Sequence, residues 1–488
     1  MAVVLCCAAC KGKDQGDKAT GSGAAPPVAT SGSAVGDATS GAERWSATFV
    51  VGGSLRDLPI TFAKHGAAWT GSLDAGGGHV LPLGDVALGP DHIAFTIEKP
   101  NAPKATWEHY ELSRAANAGE ASGAGSVGGM AIRVRMVRLA AGEAPRSAYP
   151  RPQTPRPPFP YEARELEVPT LDGGKLAGTL TIPPGAGPFP AVVLLSGSGQ
   201  QDRDETILGH KPYLIVAHRL TRQGFVTYRF DDRGTGKTTG AVGTLDTEIT
   251  DAGQIVDLLA KQPEVDPKRI GVIGHSTGGM VAPNVALHHP VAFLVSLAGP
   301  TVSGRELVPL QLAIGARAKG ASEAQIHDLV ELQTKVSAAA LEGEAKVRAT
   351  LTEIAQPQLA KALGRAPTDA ELAQAIAKPL ADSLQPWTLS FFRLDPREAW
   401  RKLELPVLLV IGERDTQVPA DITIKTLEES LSPAARAKLT VAKRPELNHL
   451  FQHAKTGALD EYVEIGESFD PATLDTIAAW LTEQAKPR

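Results

Sequence analysis

Gly274-His275-Ser276-Thr277-Gly278 fits the pattern G-x-S-x-G. It follows the apolar run Ile270–Ile273 and precedes a helical run that opens with Gly279-Met280-Val281. This is a strand–turn–helix junction, the setting of a nucleophile elbow. So tight a turn forces its central serine into a strained φ/ψ region, and glycine on either side removes Cβ atoms that would strike neighbouring backbone. A glycine-rich connection with a passive serine would leave the flanking strand and helix unexplained.

A serine hydroxyl is a poor nucleophile until a base takes its proton, and the base needs a carboxylate to orient it. At an elbow of this kind the chain order is serine, acid, histidine. Downstream, Val407–Ile411 reads as a strand ending in Gly412-Glu413-Arg414-Asp415. A carboxylate on the loop leaving a strand is where the acid belongs. Asp415 is the expected acid and Glu413 the fallback; a plain surface salt bridge to Arg414 is the uneventful alternative. Two histidines follow, His449 and His453. His449, just after the last strand, is the expected base. His453 lies four residues on, but no H-E-x-x-H glutamate lies between them, so it is given a supporting or surface role. The tetrahedral intermediate needs backbone N–H donors. Thr277, after the nucleophile, should supply one. Gly197-Ser198-Gly199, after the apolar run Ala191–Ser196, should supply the other, Ser198 first and Gly199 next.

Two patterns mimic other chemistry. Gly234-Thr235-Gly236-Lys237-Thr238 resembles the end of a phosphate-binding loop, but that motif wants glycine where Asp231 stands. Asp202-Arg203-Asp204-Glu205 could suggest a divalent metal; Arg203 in its middle points to an internal salt-bridge network instead. No cofactor and no metal are expected.

These residues need a scaffold. The chain has 488 residues, 42% hydrophobic and 21% charged, with net charge −5. That is enough for two or three domains with real cores and gives no electrostatic reason to expect nucleic acid. Residues 44–140 alternate short apolar runs with turns, from Trp45–Val51 to Met130–Val137, as in a small β-sandwich or barrel. Its histidines, His65, His79, His92 and His109, lack ligand-like spacing. Residues 141–160 are proline-rich, a semi-rigid spacer. From Tyr161 to the end, strands and helices alternate, which means a mostly parallel sheet covered on both faces. Between residues 303 and 395 the pattern is helical only, with capping-box pairs Ser322/Gln325 and Thr368/Glu371. Such an insertion is expected to form a cap over the sheet's C-terminal edge, where open α/β sheets bind ligands.

The three cysteines are Cys6, Cys7 and Cys10, which leaves none for a disulfide or zinc site in the later domains. Leu5-Cys6-Cys7-Ala8-Ala9-Cys10 resembles the end of a bacterial lipoprotein signal, with Cys10 as the lipidated residue. It lacks a basic start and a full apolar segment; a start codon further upstream would restore both. Residues 1–43 are therefore expected to hold a truncated signal and a flexible Gly/Ala/Ser/Thr/Pro tether, with the protein attached to the cell envelope. The alternative is an ordinary tail on a cytoplasmic protein.

Five stretches together carry a family resemblance: Pro157-Pro158-Phe159-Pro160-Tyr161; Ser196-Gly197-Ser198-Gly199 with Asp202-Arg203-Asp204-Glu205; Phe230-Asp231-Asp232-Arg233-Gly234; Gly274-His275-Ser276-Thr277-Gly278-Gly279; and Asn448-His449-Leu450-Phe451-Gln452. From about Trp45 the chain resembles a bacterial α/β-hydrolase esterase family in which a small β domain precedes the hydrolase domain, and more distantly dienelactone hydrolases and prolyl-oligopeptidase-type peptidases. The resemblance implies an α/β-hydrolase fold with a helical cap, and metal-independent cleavage of small carboxylic esters by Ser276, Asp415 and His449. Gln200-Gln201 and Ser196 depart from the relatives' pattern, where proline and histidine are common, and both bear on the shape of the oxyanion loop. A serine peptidase and a non-catalytic envelope binding protein are the competing readings; oligomeric state is left open.

Overall fold

The computed structural model describes residues 42–98, 103, 106–114, 119–127 and 130–487. Cys10 and the tether up to Gly41 lie outside the described residues. The chain divides into two compact units between Pro150 and Arg151.

In the first unit, eight strands form an antiparallel meander: β1 (Glu43–Val51), β2 (Ser54–His65), β3 (Ala68–Asp74), β4 (Val80–Leu88), β5 (His92–Ile97), β6 (Glu108–Arg114), β7 (Glu120–Val127) and β8 (Met130–Leu139). Pairing of β1 with β8 closes it into a barrel, not a sandwich. Alternate residues point inward, and Trp45, Phe49, Phe62, Phe95 and Tyr110 fill the interior, with the Phe95 and Tyr110 rings stacked at 5.2 Å. The four histidines of this unit are exposed. Strand β7, Glu-Ala-Ser-Gly-Ala-Gly-Ser-Val, has no apolar alternation and escapes a hydrophobicity-based reading. Its glycines are required by packing: a Cβ on Gly123 would lie 1.9 Å from the Glu111 carbonyl oxygen, and one on Gly125 2.1 Å from the Tyr110 ring.

The proline-rich stretch, expected as a semi-rigid spacer, is hydrogen-bonded along its length. Its first half is bonded to the barrel, with the Arg146 and Ala148 amides donating to Ser46 Oγ and Thr48 Oγ1. Its second half is bonded to the other unit. The Arg151 guanidinium donates to the carbonyls of Leu208, Val463 and Ile465, and the Gln153 side chain donates to the Phe469 carbonyl. Backbone polar groups near a folded surface find partners, and proline content alone does not reveal this.

The second unit holds β9 (Glu162–Pro169), β10 (Lys175–Ile182), β11 (Phe189–Leu195), β12 (Val226–Phe230), β13 (Val265–His275), β14 (Phe293–Leu297), β15 (Val407–Gly412) and β16 (Leu439–Arg444), in sheet order β16-β15-β14-β13-β11-β12-β10-β9. Its helices are α1 (Pro212–Thr221), α2 (Leu245–Leu259), α3 (Thr277–His288), α4 (Gly304–Ala318), α5 (Glu323–Glu342), α6 (Glu344–Leu363), α7 (Asp369–Ser383), α8 (Pro386–Arg393), α9 (Arg397–Trp400), α10 (Ala420–Ser430), α11 (Pro433–Arg436) and α12 (Pro471–Gln484). The pairings from β12 through β16 are parallel; β9 and β10 are antiparallel to their neighbours. Successive side chains of a strand face opposite sides. Val192 and Leu194 pack with α1 and α12, whereas Val193 and Leu195 pack with α2 and α3. Burial on both faces is why β11 reads as an unbroken apolar run.

From β11 the chain moves to β12 on one side and then to β13 on the other. Connections that leave adjacent strands in opposite directions open a crevice at the strands' C-terminal ends. The loops after β11 and β13 border that crevice. Helices α4–α8 lie between β14 and β15 in sequence. The Ser322/Gln325 and Thr368/Glu371 capping boxes start α5 and α7.

Candidate active site

Ser276 sits between β13 and α3 with φ 51° and ψ −123°. A non-glycine residue there stores strain of order 1–3 kcal/mol, and its amide is pinned to the Leu297 carbonyl of β14 at 2.9 Å. The flanking glycines permit close approach. A Cβ on Gly274 would come within 2.2 Å of the Gly278 carbonyl oxygen, and one on Gly278 within 2.2 Å of the Leu195 carbonyl oxygen. The turn thus stands on backbone-to-backbone contacts that no larger residue allows.

Asp415 lies on the loop after β15. Its Oδ1 accepts the amides of Gln417 and Val418, both at 2.8 Å, and its Oδ2 faces His449 Nδ1 at 2.7 Å. One oxygen orients the carboxylate and leaves the other for the imidazole. His449 follows β16 in a loop folded around Asn448, whose side-chain oxygen accepts the Leu450 and Gln452 amides. Glu413 points elsewhere and pairs with Lys443 at 3.1 Å, while Arg414 pairs with Glu446. His453 is exposed and bonded to Glu467.

The register Leu195↔Gly274 sets Gly197 beside Ser276; a Cβ on Gly197 would stand 3.2 Å from the Ser276 Cβ. The Gly197 amide is taken by Glu205 Oε1 at 2.8 Å. The amides of Ser198, Gly199 and Thr277 have no partner among the described residues. Thr277 opens α3, where unsatisfied N–H groups and the helix dipole favour negative charge.

Three neighbours were not assigned roles from the sequence. His275 is buried; its Nδ1 is 2.7 Å from Glu205 Oε1, its Nε2 is 3.0 Å from the His449 carbonyl oxygen, and its ring lies 4.7 Å from the His449 ring. Burial opposes its charged form, but the Glu205 carboxylate outweighs burial and raises the His275 pKa above its ordinary value. Glu205 is buried at φ 54°, so a strained residue supplies the partner. Tyr213 Oη accepts the His275 amide at 2.9 Å and donates to the Leu195 carbonyl at 2.5 Å. The only sequence cue was the Asp202–Glu205 run. Arg203 pairs with Asp231 and Glu165, Asp204 with Arg229 and Lys211, and Asp202 accepts the amides of Asp204 and Thr206.

Two further carboxylates lie close by. Asp232 accepts Ser196 Oγ and the Gln201 amide; burial, followed by the like charge of Glu248, pushes its pKa well above the usual range. Glu248 on α2 accepts Trp387 Nε1 of α8, and burial pushes it up to about 7. Among the described residues, one group, His453, Glu467 and Asp470, has metal-like spacing. There Glu467 is bonded to His453, and Asp470 caps α12 through the Ala472 and Thr473 amides.

The chain is 28% identical over 332 residues to esterase EstD of Thermotoga maritima, a match covering 67% of this chain and 69% of that protein. It is 31% identical over 146 residues to esterase FrsA of Yersinia pestis, covering 30% of this chain and 33% of that protein. Among solved structures, the Pyrococcus furiosus esterase Pf2001 matches with TM-score 0.41 and 17% identity, covering 67% of this chain and 94% of that one. Residues 192–454, more than half of the sequence, match the alpha/beta hydrolase family. With its nucleophile-elbow turn after β13 and its Asp–His pair after β15 and β16, the chain belongs to that family.

Proposed function

We propose that this protein is a serine esterase that cleaves small carboxylic esters by two-step acyl transfer. The observation that carries the reading is the Asp415–His449 hydrogen bond together with a serine in a strained elbow, whose neighbour His275 has its ring 4.7 Å from the His449 ring. The names of the relatives, esterases EstD and FrsA, support the same chemistry. His449 takes the Ser276 proton as the hydroxyl attacks the ester carbonyl. The Thr277 and Ser198 amides hold the oxyanion. His449 then protonates the leaving alcohol and activates water against the acyl-enzyme, while Asp415 keeps the proton on Nδ1. Helices α4–α8 form the proposed cap that sets acyl length. Gln311 of α4 donates to the Gln417 carbonyl, two residues past Asp415, and Trp387 of α8 reaches Glu248, so the insertion borders the acid loop and α2.

The test is hydrolysis of a 4-nitrophenyl ester series by wild-type and Ser276→Ala protein, beside matched aminoacyl anilides. Turnover of short to medium acyl esters, lost in Ser276→Ala, is expected. Undiminished turnover in folded Ser276→Ala would end the proposal, and comparable anilide rates would favour a peptidase. Failure of Ser276 to react with a fluorophosphonate probe would favour a binding protein. Lipidation at Cys10, with envelope attachment, is proposed on the cysteine pattern alone. Mass spectrometry of protein expressed with its native upstream region decides it, an unmodified Cys10 being the refuting result.

A further inference from the structure

Glu205 Oε1 accepts two donors at once, the Gly197 amide at 2.8 Å and His275 Nδ1 at 2.7 Å. The other nitrogen of the His275 ring faces the His449 carbonyl oxygen at 3.0 Å. A carbonyl oxygen only accepts, so Nε2 carries a proton. An ionised Glu205 only accepts, so its Oε1 takes the Gly197 amide and Nδ1–H together, and the ring then donates from both nitrogens as an imidazolium. In that state Glu205 and His275 form a buried ion pair whose members reach three separate loops: the one after β11, the elbow after β13 and the one after β16. The Gly197 amide precedes the proposed oxyanion donor by one residue, and the His449 carbonyl belongs to the proposed base.

Resting on the esterase reading, we propose that Glu205 is a positioning residue: through its single oxygen and the His275 cation it holds the oxyanion loop and the backbone of His449 in register with Ser276. The chemistry makes the carboxylate specific. A glutamine at 205 keeps shape and can still accept the Gly197 amide. It offers no counter-charge, so the buried ring becomes neutral and has one proton for two acceptors. Either the bond to residue 205 or the bond to His449 is lost, or, if the glutamine turns its NH2 toward Nδ1, the bond to the Gly197 amide is lost. Loops lose their fixed position when such a bond is lost, and a misplacement of about 1 Å at the reacting centre costs on the order of 10²-fold.

The experiment uses the full chain and 4-nitrophenyl butyrate. Glu205→Gln should lower kcat on the order of 10²-fold while KM stays within about twofold, because the loss falls on transition-state geometry and spares ground-state binding. Glu205→Asp, which restores the charge, should recover part of that loss. In ¹⁵N-labelled wild-type protein, His275 should show both ring nitrogens protonated, and in Glu205→Gln only one. Folded Glu205→Gln with kcat within about threefold of wild type, or a wild-type His275 with one protonated nitrogen, overturns the proposal. If Glu205→Gln does not fold, His275→Gln takes its place under the same kcat and KM criterion. Ser276→Ala is measured alongside. Activity surviving there sinks the esterase reading itself, whereas a dead Ser276→Ala beside an unimpaired Glu205→Gln sinks only the positioning role.

Discussion

Replacing Asp415 with asparagine tests the proposed proton path with almost no change in shape. The Asp415 Oδ1 position accepts two amides, Gln417 and Val418, each at 2.8 Å. An asparagine must keep its oxygen there, since turning its NH2 toward two N–H donors would leave three buried donors unsatisfied, at about 1–3 kcal/mol each. Its NH2 is therefore forced to face His449 Nδ1, across the gap that Oδ2 now spans at 2.7 Å. A donor at that point makes Nδ1 the acceptor and drives the ring proton to Nε2. An imidazole protonated at Nε2 cannot receive the Ser276 proton. Loss of the correct tautomer in Ser-His-Asp enzymes costs about 10⁴ in kcat, equivalent to about 5.4 kcal/mol of transition-state stabilisation at 1.36 kcal/mol per decade. Both Oδ1 bonds survive, so the unfolding midpoint should stay close to that of wild type. The assay is steady-state hydrolysis of 4-nitrophenyl butyrate with a denaturant melt on the same preparation. A folded Asp415→Asn protein whose kcat lies within about tenfold of wild type would refute the tautomer reasoning.

Other outcomes follow from the geometry. Glu248, raised from an ordinary 4.5 to about 7 by burial, holds in the folded state a proton that the unfolded chain has already released. Its contribution to stability therefore falls as pH rises from about 4.5 to about 7; Glu248→Gln should flatten that slope in denaturant melts, and parallel wild-type and variant curves would contradict it. A fragment starting at Arg151 should outlast one starting at Tyr161 by at least about 2 kcal/mol, because the shorter one loses the Arg151 and Gln153 bonds; equal unfolding midpoints would dismiss this. Gly123→Ala should lower the melting transition of the barrel, since its Cβ would lie 1.9 Å from a β6 carbonyl, whereas Gly119→Ala, whose nearest neighbour is 3.9 Å away, should leave that transition in place; matching melts would show that β7 yields easily.

The sequence was most legible where a proposed catalytic residue follows a strand. Ser276 and Asp415 each follow a strand buried enough to be read directly, whereas β16 before His449 has no buried residue and His449 was found from chain order instead. Glycine was ambiguous. In the elbow it marked close backbone contact, but in β7 the same residue hid a strand, because Gly123 and Gly125 make room for partners on β6 that are far away in the pattern. The Asp202–Glu205 run was legible as a network of ion pairs, and its partners were not. Arg229 of β12, Asp231 just after it and His275 of β13 come to it through pairings that only the folded sheet creates. The division of the proline-rich stretch was hidden for the same reason, since the carbonyls that receive Arg151 lie some three hundred positions further on or in the loop before α1.

The Tyr213 hydroxyl occupies a place in the sheet that a direct strand-to-strand bond would otherwise fill. It accepts from the His275 amide and donates to the Leu195 carbonyl, the last step of the β11–β13 ladder. Both backbone groups are satisfied, yet the strands are held one oxygen atom apart. A ladder that could close there would zip the two loops together over the serine. The phenol acts as a wedge with its own hydrogen bonds: it ends the sheet between β11 and β13 just before the loops that carry Gly197 and Ser276.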